Sequence, residues 1–410
     1  MDRIILHCDM NAFYASCELL EHPELIDKPV AVCGNPNNRH GIILAKNEIA
    51  KQYGIVTAET LWQAKKKCPS LVSIPPHMEK YKEYSKKINE IYNRFTDMVE
   101  PFSIDESWLD VTNSQNLFGT GKEIADLIRT TVKNELGLTL SAGVSYNKIF
   151  AKMGSEYKKP DATTVITREN FKTLLWPLPV SELFFVGKAT NNKLNKFGIF
   201  TIGDLANTNP KSLISLLGKQ GQLLYDYSNG YDTSPVSLYS NREPIKSVGH
   251  GMTFSRNLVS IEDIKAGVIG LSDKVASRLR RHKLKAYGIK VDIKDPTFKV
   301  ISRQKTLDYA TNLTSDISRE ALSLIKTYWN ISDPIRLLTV TAISLVDENQ
   351  DEQINMFQNI GQSNDRAKNE KLERAIDSIR DKYGGNSISS GSIIASDIAS
   401  WLKDNDKDSE

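Results

Sequence analysis

No apolar run in this sequence approaches the length of a membrane span, so no segment is expected to cross a bilayer. No secretory leader is expected either. Met1-Asp-Arg-Ile-Ile-Leu-His7 goes straight into a strand, without the charged, apolar and small-residue regions of such a signal. Cysteine is scarce: Cys8, Cys17, Cys33 and Cys68 all fall in the first sixth of the chain, and none has C-x-x-C spacing. That spacing argues against a disulfide framework or a zinc site, and the thiols read as reduced, structural residues of a cytoplasmic protein. Large net charge is absent too, at +3, while 40% hydrophobic and 25% charged residues are ordinary for a globular protein. A chain of 410 residues exceeds a single core and implies two to four domains.

The small net charge hides a segregated one. Arg242 to Asp308 carries fifteen Lys/Arg against seven Asp/Glu, or +8, and Asp347 to Glu410 carries eight against fourteen, or −6. A basic centre-right region suggests a polyanionic partner, and an acidic tail would stay away from that partner. Read without regard to partners, the basic segment is a solvated face.

The stretch with most chemical content is Glu100-Pro-Phe-Ser-Ile-Asp105-Glu106-Ser-Trp-Leu-Asp110-Val111. Side chains alternate faces along a strand, so adjacent acids serve one site only where a strand ends, turns or bulges. The spacing predicts hairpin arms at 101–104 and 108–111, with Asp105 and Glu106 at the tip. In isolation such a pair is an acidic turn. Residues 3–8 predict a buried strand ending at Asp9, followed by Met10-Asn11-Ala12-Phe13-Tyr14. Asp9 reads either as a helix cap or as a carboxylate that must be paired or bind a metal.

Residues 19–77 read as an inserted subdomain with strands near 28–34 and 42–45 and helices over 46–53 and 59–67. Met78 to Met98 predicts a helix with an apolar stripe through Tyr81, Tyr84, Ile88, Ile91, Tyr92 and Phe95. Thr120 to Leu136 predicts another, and Leu138, Leu140, Ala142 and Val144 alternate in a strand after it. Without the insertion the order is strand, helix, two hairpin strands, helix, strand, which is the ferredoxin-like split βαβ pattern. That order makes the first strand a neighbour of the hairpin and brings Asp9 to Asp105 and Glu106. Three converging carboxylates need cations, and oxygen ligands with room for water and a phosphate suit Mg²⁺. Lys148, Lys152 and Lys159 follow the last strand, within reach of a triphosphate as point charges or else as ordinary surface lysines.

Residues 167–232 change character. Short helices around the Gly198 turn resemble a helix-hairpin-helix, whose amides hold a phosphate without reading sequence. Residues 233–246 read as a linker. The basic region then predicts a helix over 264–281 and strands at 287–294, 298–303 and 336–346, a small α/β module. In the tail, Gln353-Ile354-Asn-Met356-Phe357 is a candidate peptide anchor. Residues 372–384 predict a short amphipathic helix, followed by a mobile end.

Together, Asp9-Met-Asn-Ala-Phe-Tyr14, Ser103-Ile-Asp105-Glu106-Ser-Trp-Leu-Asp110, Gly143-Val-Ser-Tyr-Asn-Lys148 and Lys159-Pro160 resemble the Y-family translesion DNA polymerases. The nearest types are the bacterial polymerase IV and the catalytic subunit of polymerase V. The likeness covers roughly residues 1–346. It implies an α+β, right-hand architecture: a ferredoxin-like palm (1–18 and 78–166), small fingers (19–77), a helical helix-hairpin-helix thumb (167–232), a linker (233–243) and an α/β little finger (244–346). An acidic tail with a clamp-binding peptide would follow (347–410).

The resemblance implies low-fidelity, template-directed transfer of a dNTP onto a primer 3′-hydroxyl, with two Mg²⁺ ions on Asp9, the Met10 carbonyl, Asp105 and Glu106. Phe13, Tyr14, Lys51 and Lys159 would meet the dNTP, with Tyr14 as the steric gate against a ribose 2′-hydroxyl. Gln353, Ile354, Met356 and Phe357 would bind the sliding clamp. The implied partners are primer-template DNA, dNTPs and the clamp, with the enzyme a monomer on the bacterial nucleoid. Three features depart from the polymerase IV pattern and lean toward the polymerase V type: Asn11, Ala45 with Glu48, and Lys51 in place of an arginine. A scaffold that has lost chemistry has no reason to keep three mutually repelling acids. A nucleotide cyclase on the same palm is disfavoured by the hairpin motif and the +8 segment.

Overall fold

The computed structural model describes residues 2–35, 41–240, 244–350, 360–385, 387–389 and 391. The Gln353–Phe357 peptide lies outside the described residues. In chain order the first part contains β1 (Ile5–Met10), α1 (Phe13–Leu19), β2 (Val30–Cys33), β3 (Ile43–Lys46), α2 (Glu48–Gln52), α3 (Leu61–Lys67), β4 (Val72–Ile74), α4 (Met78–Tyr92), β5 (Val99–Pro101), β6 (Glu106–Asp110), α5 (Gln115–Phe118), α6 (Gly121–Leu136), β7 (Leu140–Ser145), α7 (Lys148–Tyr157) and β8 (Thr163–Val165). Helices α8 (Phe171–Leu175), α9 (Lys188–Lys196), α10 (Ile202–Asn207), α11 (Pro210–Leu217) and α12 (Lys219–Ser228) follow. After them come β9 (Ser247–Leu258), α13 (Ile261–Arg281), β10 (Leu284–Lys294), β11 (Val300–Thr311), α14 (Thr314–Tyr328), β12 (Ile335–Asp347) and α15 (Ile360–Tyr383). The chain divides into two compact units, Met1–Cys33 with Ile43–Arg242, and Gly34–Ile42 with Glu243–Glu410.

In the first unit a five-stranded sheet runs β5-β6-β1-β7-β8. Its first four strands have the ferredoxin-like order that the sequence implies; β8, parallel to β7, was not foreseen. The helix start at Thr120 is a full capping box with Glu123, a device worth about 1 kcal/mol. Strand β7 was expected to alternate, yet all six residues are buried. Leu140, Ala142 and Val144 pack with Ile124 and Ile128 of α6, while Gly143 lies against the α7 backbone, where a Cβ would collide with Ala151 O. Both faces are covered, so both are apolar or small.

The hairpin arms are Val99–Pro101 and Glu106–Asp110, not 101–104 and 108–111. Phe102 N and Ser103 N both bond Glu106 O, which closes the turn early and puts Glu106 inside the strand. The 78–98 helix stops at Tyr92, since Phe95 and Val99 already belong to the turn and strand that enter the core. A separate three-stranded sheet, β3-β2-β4, carries the insertion around a small core that includes Cys33 and Cys68. All four cysteines are free and buried. The α8–α12 segment packs through Leu175, Leu194, Ile202, Leu205, Leu213 and Leu224 into one core with Phe150 and Met153 of α7. Gly198, at φ 82°, turns the chain between α9 and α10.

The second unit is a four-stranded antiparallel sheet, β11-β10-β12-β9, with α13 and α14 in its core. Two features here were not foreseen. Strand β9 had no strand signal, because Gly249 and Gly251 leave room for Thr341 and Thr339 on the neighbouring strand. The acidic tail, expected only to avoid a polyanionic partner, also docks on the basic segment through α15. Arg280, only 5% exposed, is gripped by Glu373 and by both oxygens of Asp377, and donates to Asn312 O. Arg366 lies over the Tyr309 ring at 3.8 Å, and Arg380 pairs with Asp273 at 2.9 Å. Lys305 pairs with Glu320 of α14, and Arg303 lies over Tyr328 of the same helix. Much of the basic charge is therefore engaged within the unit. Among the described residues no helix is long and apolar enough to cross a membrane.

Candidate active site

Strand β1 runs antiparallel between β6 and β7, and the register sets Asp9 directly opposite Glu106. Opposed residues share a face, so both carboxylates point the same way. Asp9 is inside the strand rather than just past it, because pairing runs through Asp9 on the β6 side and through Met10 on the β7 side. Asp105 is the last residue of the hairpin turn, and its carbonyl accepts from Met10 N at 3.1 Å. That bond ties the turn to the end of β1. Ala12 then adopts a left-handed conformation (φ 48°, ψ 42°), which costs an alanine on the order of 1 kcal/mol. The sharp reversal starts α1 at once and brings Phe13 and Tyr14 over the same opening.

The opening is a cleft of about 370 Å³ lined by Asp9, Met10, Phe13, Tyr14, Asp105, Glu106 and Lys159, with Ala45, Lys46 and Thr57 from the insertion. All the expected acids are thus brought together, with Met10, Phe13, Tyr14 and Lys159. Lys51 is not in this wall. It pairs with Glu48 at 3.5 Å on α2, with more than half of its side chain exposed. The insertion's cation in the wall is Lys46, at the end of β3, which donates to Thr57 Oγ1 at 3.2 Å.

Helix α7 covers the acid face and supplies its cations. Lys148, Lys152 and Glu156 follow one another at four-residue spacing, on one helical face. Lys148 pairs with Glu100 at 2.6 Å and lies over the Trp108 ring at 4.4 Å, away from the cleft. Lys152 pairs with Glu106 Oε2 at 2.6 Å. Lys159, just past the helix, pairs with Asp9 Oδ2 at 2.8 Å and with Glu156 at 2.9 Å. Asp105 accepts a bond from Ser103 Oγ at 2.7 Å.

The electrostatics differ from acid to acid. Burial pushes Asp9 up to about 8, against the pull of Lys159. Burial raises Asp105 as well, and the neighbouring Glu106 charge adds to it. For Glu106, burial is outweighed by the His7 ring and the Lys152 ammonium, which hold it down to about 2. Lys152 is the closer of the two, since His7 Nε2 is 3.5 Å away and makes no hydrogen bond. His7 itself is held down to about 4 by burial. Its Nδ1 lies 2.8 Å from Ser155 Oγ, which also bonds Lys152 O.

Tyr14 stacks on Tyr81 (4.2 Å between centroids, 11° between planes). The Tyr81 hydroxyl donates to the buried Glu18, which also takes Lys80 at 2.9 Å, so the platform under Tyr14 is fixed. Roles for His7, Lys46, Glu18 and Tyr81 were not foreseen, and Lys148 and Lys152, expected within reach of a triphosphate, pair with Glu100 and Glu106 instead. The four-residue lysine spacing on α7 was visible in the sequence, but its acidic partners were not.

Residues 8–156 match the impB/mucB/samB family, residues 245–356 its C-terminal domain, and residues 182–232 the thumb domain of DNA polymerase iota. DNA polymerase IV of Acetivibrio thermocellus is 48% identical over 396 residues, covering 96% of this chain and 98% of that protein. This chain belongs to the Y-family DNA polymerases. DNA polymerase IV of Clostridium kluyveri is 40% identical over 96% of the chain, and DNA polymerase IV 2 of Bacillus subtilis 37% over 94%. A solved Y-family DNA polymerase chimera shares the fold, with a TM-score of 0.75 and 23% identity over 84% of the chain. The polymerase IV names of these relatives run against the lean toward the polymerase V type that Asn11, Ala45, Glu48 and Lys51 suggested. The chain is a DNA-directed DNA polymerase of the translesion class.

Proposed function

We propose that Asp9, Asp105 and Glu106, with the Met10 carbonyl, hold two Mg²⁺ ions and that the cleft above them takes a dNTP. The observation that carries this is the register of Asp9 on Glu106, with Asp105 tied to Met10 beside them. The donor set fits a hard cation: it is all oxygen, it is largely desolvated, and two ammonium groups already stand in as cations on Asp9 and Glu106. Among the described residues no three such side chains enclose an ion by themselves. When bound, the ions supply the activation of the primer 3′-hydroxyl and the neutralisation of pyrophosphate.

The protein groups have separate tasks. Lys159 and Lys46 are placed at the cleft as point charges for phosphate oxygens. Tyr14, held flat on Tyr81, is the barrier beside the sugar, and Phe13 supports it. The cleft wall argues for Lys46 rather than Lys51 as the insertion's triphosphate contact. The divisions into palm, fingers, thumb, linker and little finger, the clamp contact through Gln353–Phe357, the monomeric state and the nucleoid location belong to the same reading.

Primer extension with Mg²⁺ and each dNTP, on plain and abasic templates, tests it. Extension through the abasic site is expected. Failure to extend either template would refute the reading. Deleting Gln353–Phe357 is expected to remove stimulation by the clamp and to leave basal synthesis intact.

A further inference from the structure

We propose that Lys152 is a positioning residue that holds the Glu106 carboxylate in the metal-free enzyme and yields it to a divalent cation, its ammonium moving onto the Phe102 and Phe184 rings. The inference rests on the reading that Asp9, Asp105 and Glu106 bind metal.

Glu106 is opposed to Asp9 and adjacent to Asp105, so an uncompensated Glu106 would face like charge on two sides. Lys152 compensates it through one contact, Nζ to Oε2 at 2.6 Å. A lysine ammonium is a compact point charge on a flexible four-carbon stem, so it orients the carboxylate without locking it. The same ammonium is 5.4 Å from the Phe102 ring centroid and 5.5 Å from that of Phe184. Both distances fall within cation–π range, and the two rings meet edge to face at 5.8 Å. The displaced charge thus has a place to rest a short rotation away, with Phe102 open to water.

Lys148, one turn earlier on α7, is the contrast. It lies over Trp108 and holds Glu100, which also accepts from Ser237 N, and neither residue of that pair lines the acid cleft. Its pairing has nothing to yield to. Of these two lysines, Lys152 is the one that sits where an incoming divalent ion would compete for the same oxygen. Phe184 is in the segment that leads into α9, so the movement would also touch the contact between the catalytic hairpin and that segment.

Mn²⁺ binding to the full-length protein, followed by electron paramagnetic resonance, tests this alongside melting in chelator. Lys152→Met is expected to bind Mn²⁺ roughly three- to tenfold more tightly and to melt lower in chelator, the difference closing when Mn²⁺ is added. Lys152→Arg, whose fork grips a carboxylate with two bonds, should bind Mn²⁺ more weakly than wild type. Phe102→Leu should weaken binding about twofold. Equal or weaker Mn²⁺ affinity in Lys152→Met would overturn the proposal, and unchanged affinity in Phe102→Leu would overturn the role of the rings. If Glu106→Gln leaves Mn²⁺ binding unchanged, the metal reading itself fails, and this inference falls with it.

Discussion

Two clusters of buried charge, one in each unit, are built on opposite plans. On α13, one arginine is surrounded by acids: Arg280 meets Glu373, Asp377 and the Asn312 carbonyl, and little of its side chain reaches water. At the sheet end of the first unit, three acids share two lysines, and the cleft stays open. The arginine cluster is bidentate and closed, as a structural tie should be. The acid cluster is held by single lysine contacts and under-compensated, which leaves it able to accept further positive charge. Removing a partner from the first should cost stability, and removing one from the second should cost chemistry.

The largest stability effect is expected at Arg280. Arg280→Ala leaves Glu373 and Asp377 without their cation and should cost about 3–5 kcal/mol. Arg281, next to it but exposed and only 3.4 Å from Asp381, should cost no more than ~1 kcal/mol when changed to alanine. Urea unfolding of the two variants measures the contrast, and equal losses would break it.

The pH dependence of Asp9 gives a second effect. Its folded value is raised to about 8, so the protonated carboxyl is the form that suits the fold. Its stability contribution is present below the ordinary 3.8 and is lost as pH rises through about 8. In chelator, Asp9→Asn should therefore gain on wild type between pH 5 and pH 8, by up to about 1.4 kcal/mol per pH unit. Melting curves across that range check it, and a flat difference would place Asp9 in an ordinary ion pair. The smallest structural change is expected at Tyr14. Tyr14→Ala should melt close to wild type yet incorporate ribonucleotides; retained sugar selectivity would remove the gate role.

Much of the acid cluster was legible in the sequence, because local signals carry it. Asp9 follows an apolar run, Asp105-Glu106 interrupts a β pattern, and the order of elements makes their strands neighbours. The triphosphate side was less legible. Whether Lys46 or Lys51 meets the cleft depends on where β3 ends and α2 begins, and a charge count does not show that boundary. The arginine cluster was hidden for a different reason. Arg280 and Glu373 are 93 residues apart, and each alone looks like solvated charge. Composition and periodicity placed one on a cationic face for a polyanion and the other on a short amphipathic helix of the acidic tail, and neither signal showed that α15 packs on α13. Strand β9 was missed because its glycines fit threonines on a neighbour that only the sheet reveals.

The account turns on whether the acid cluster is kept for chemistry at the expense of the fold. Glu106→Gln, measured for single-turnover primer extension and for melting in chelator, tests this most directly. The account predicts a rate loss of about a thousandfold or more, with melting within a few degrees of wild type. Extension near the wild-type rate, together with a large fall in melting temperature, would contradict it.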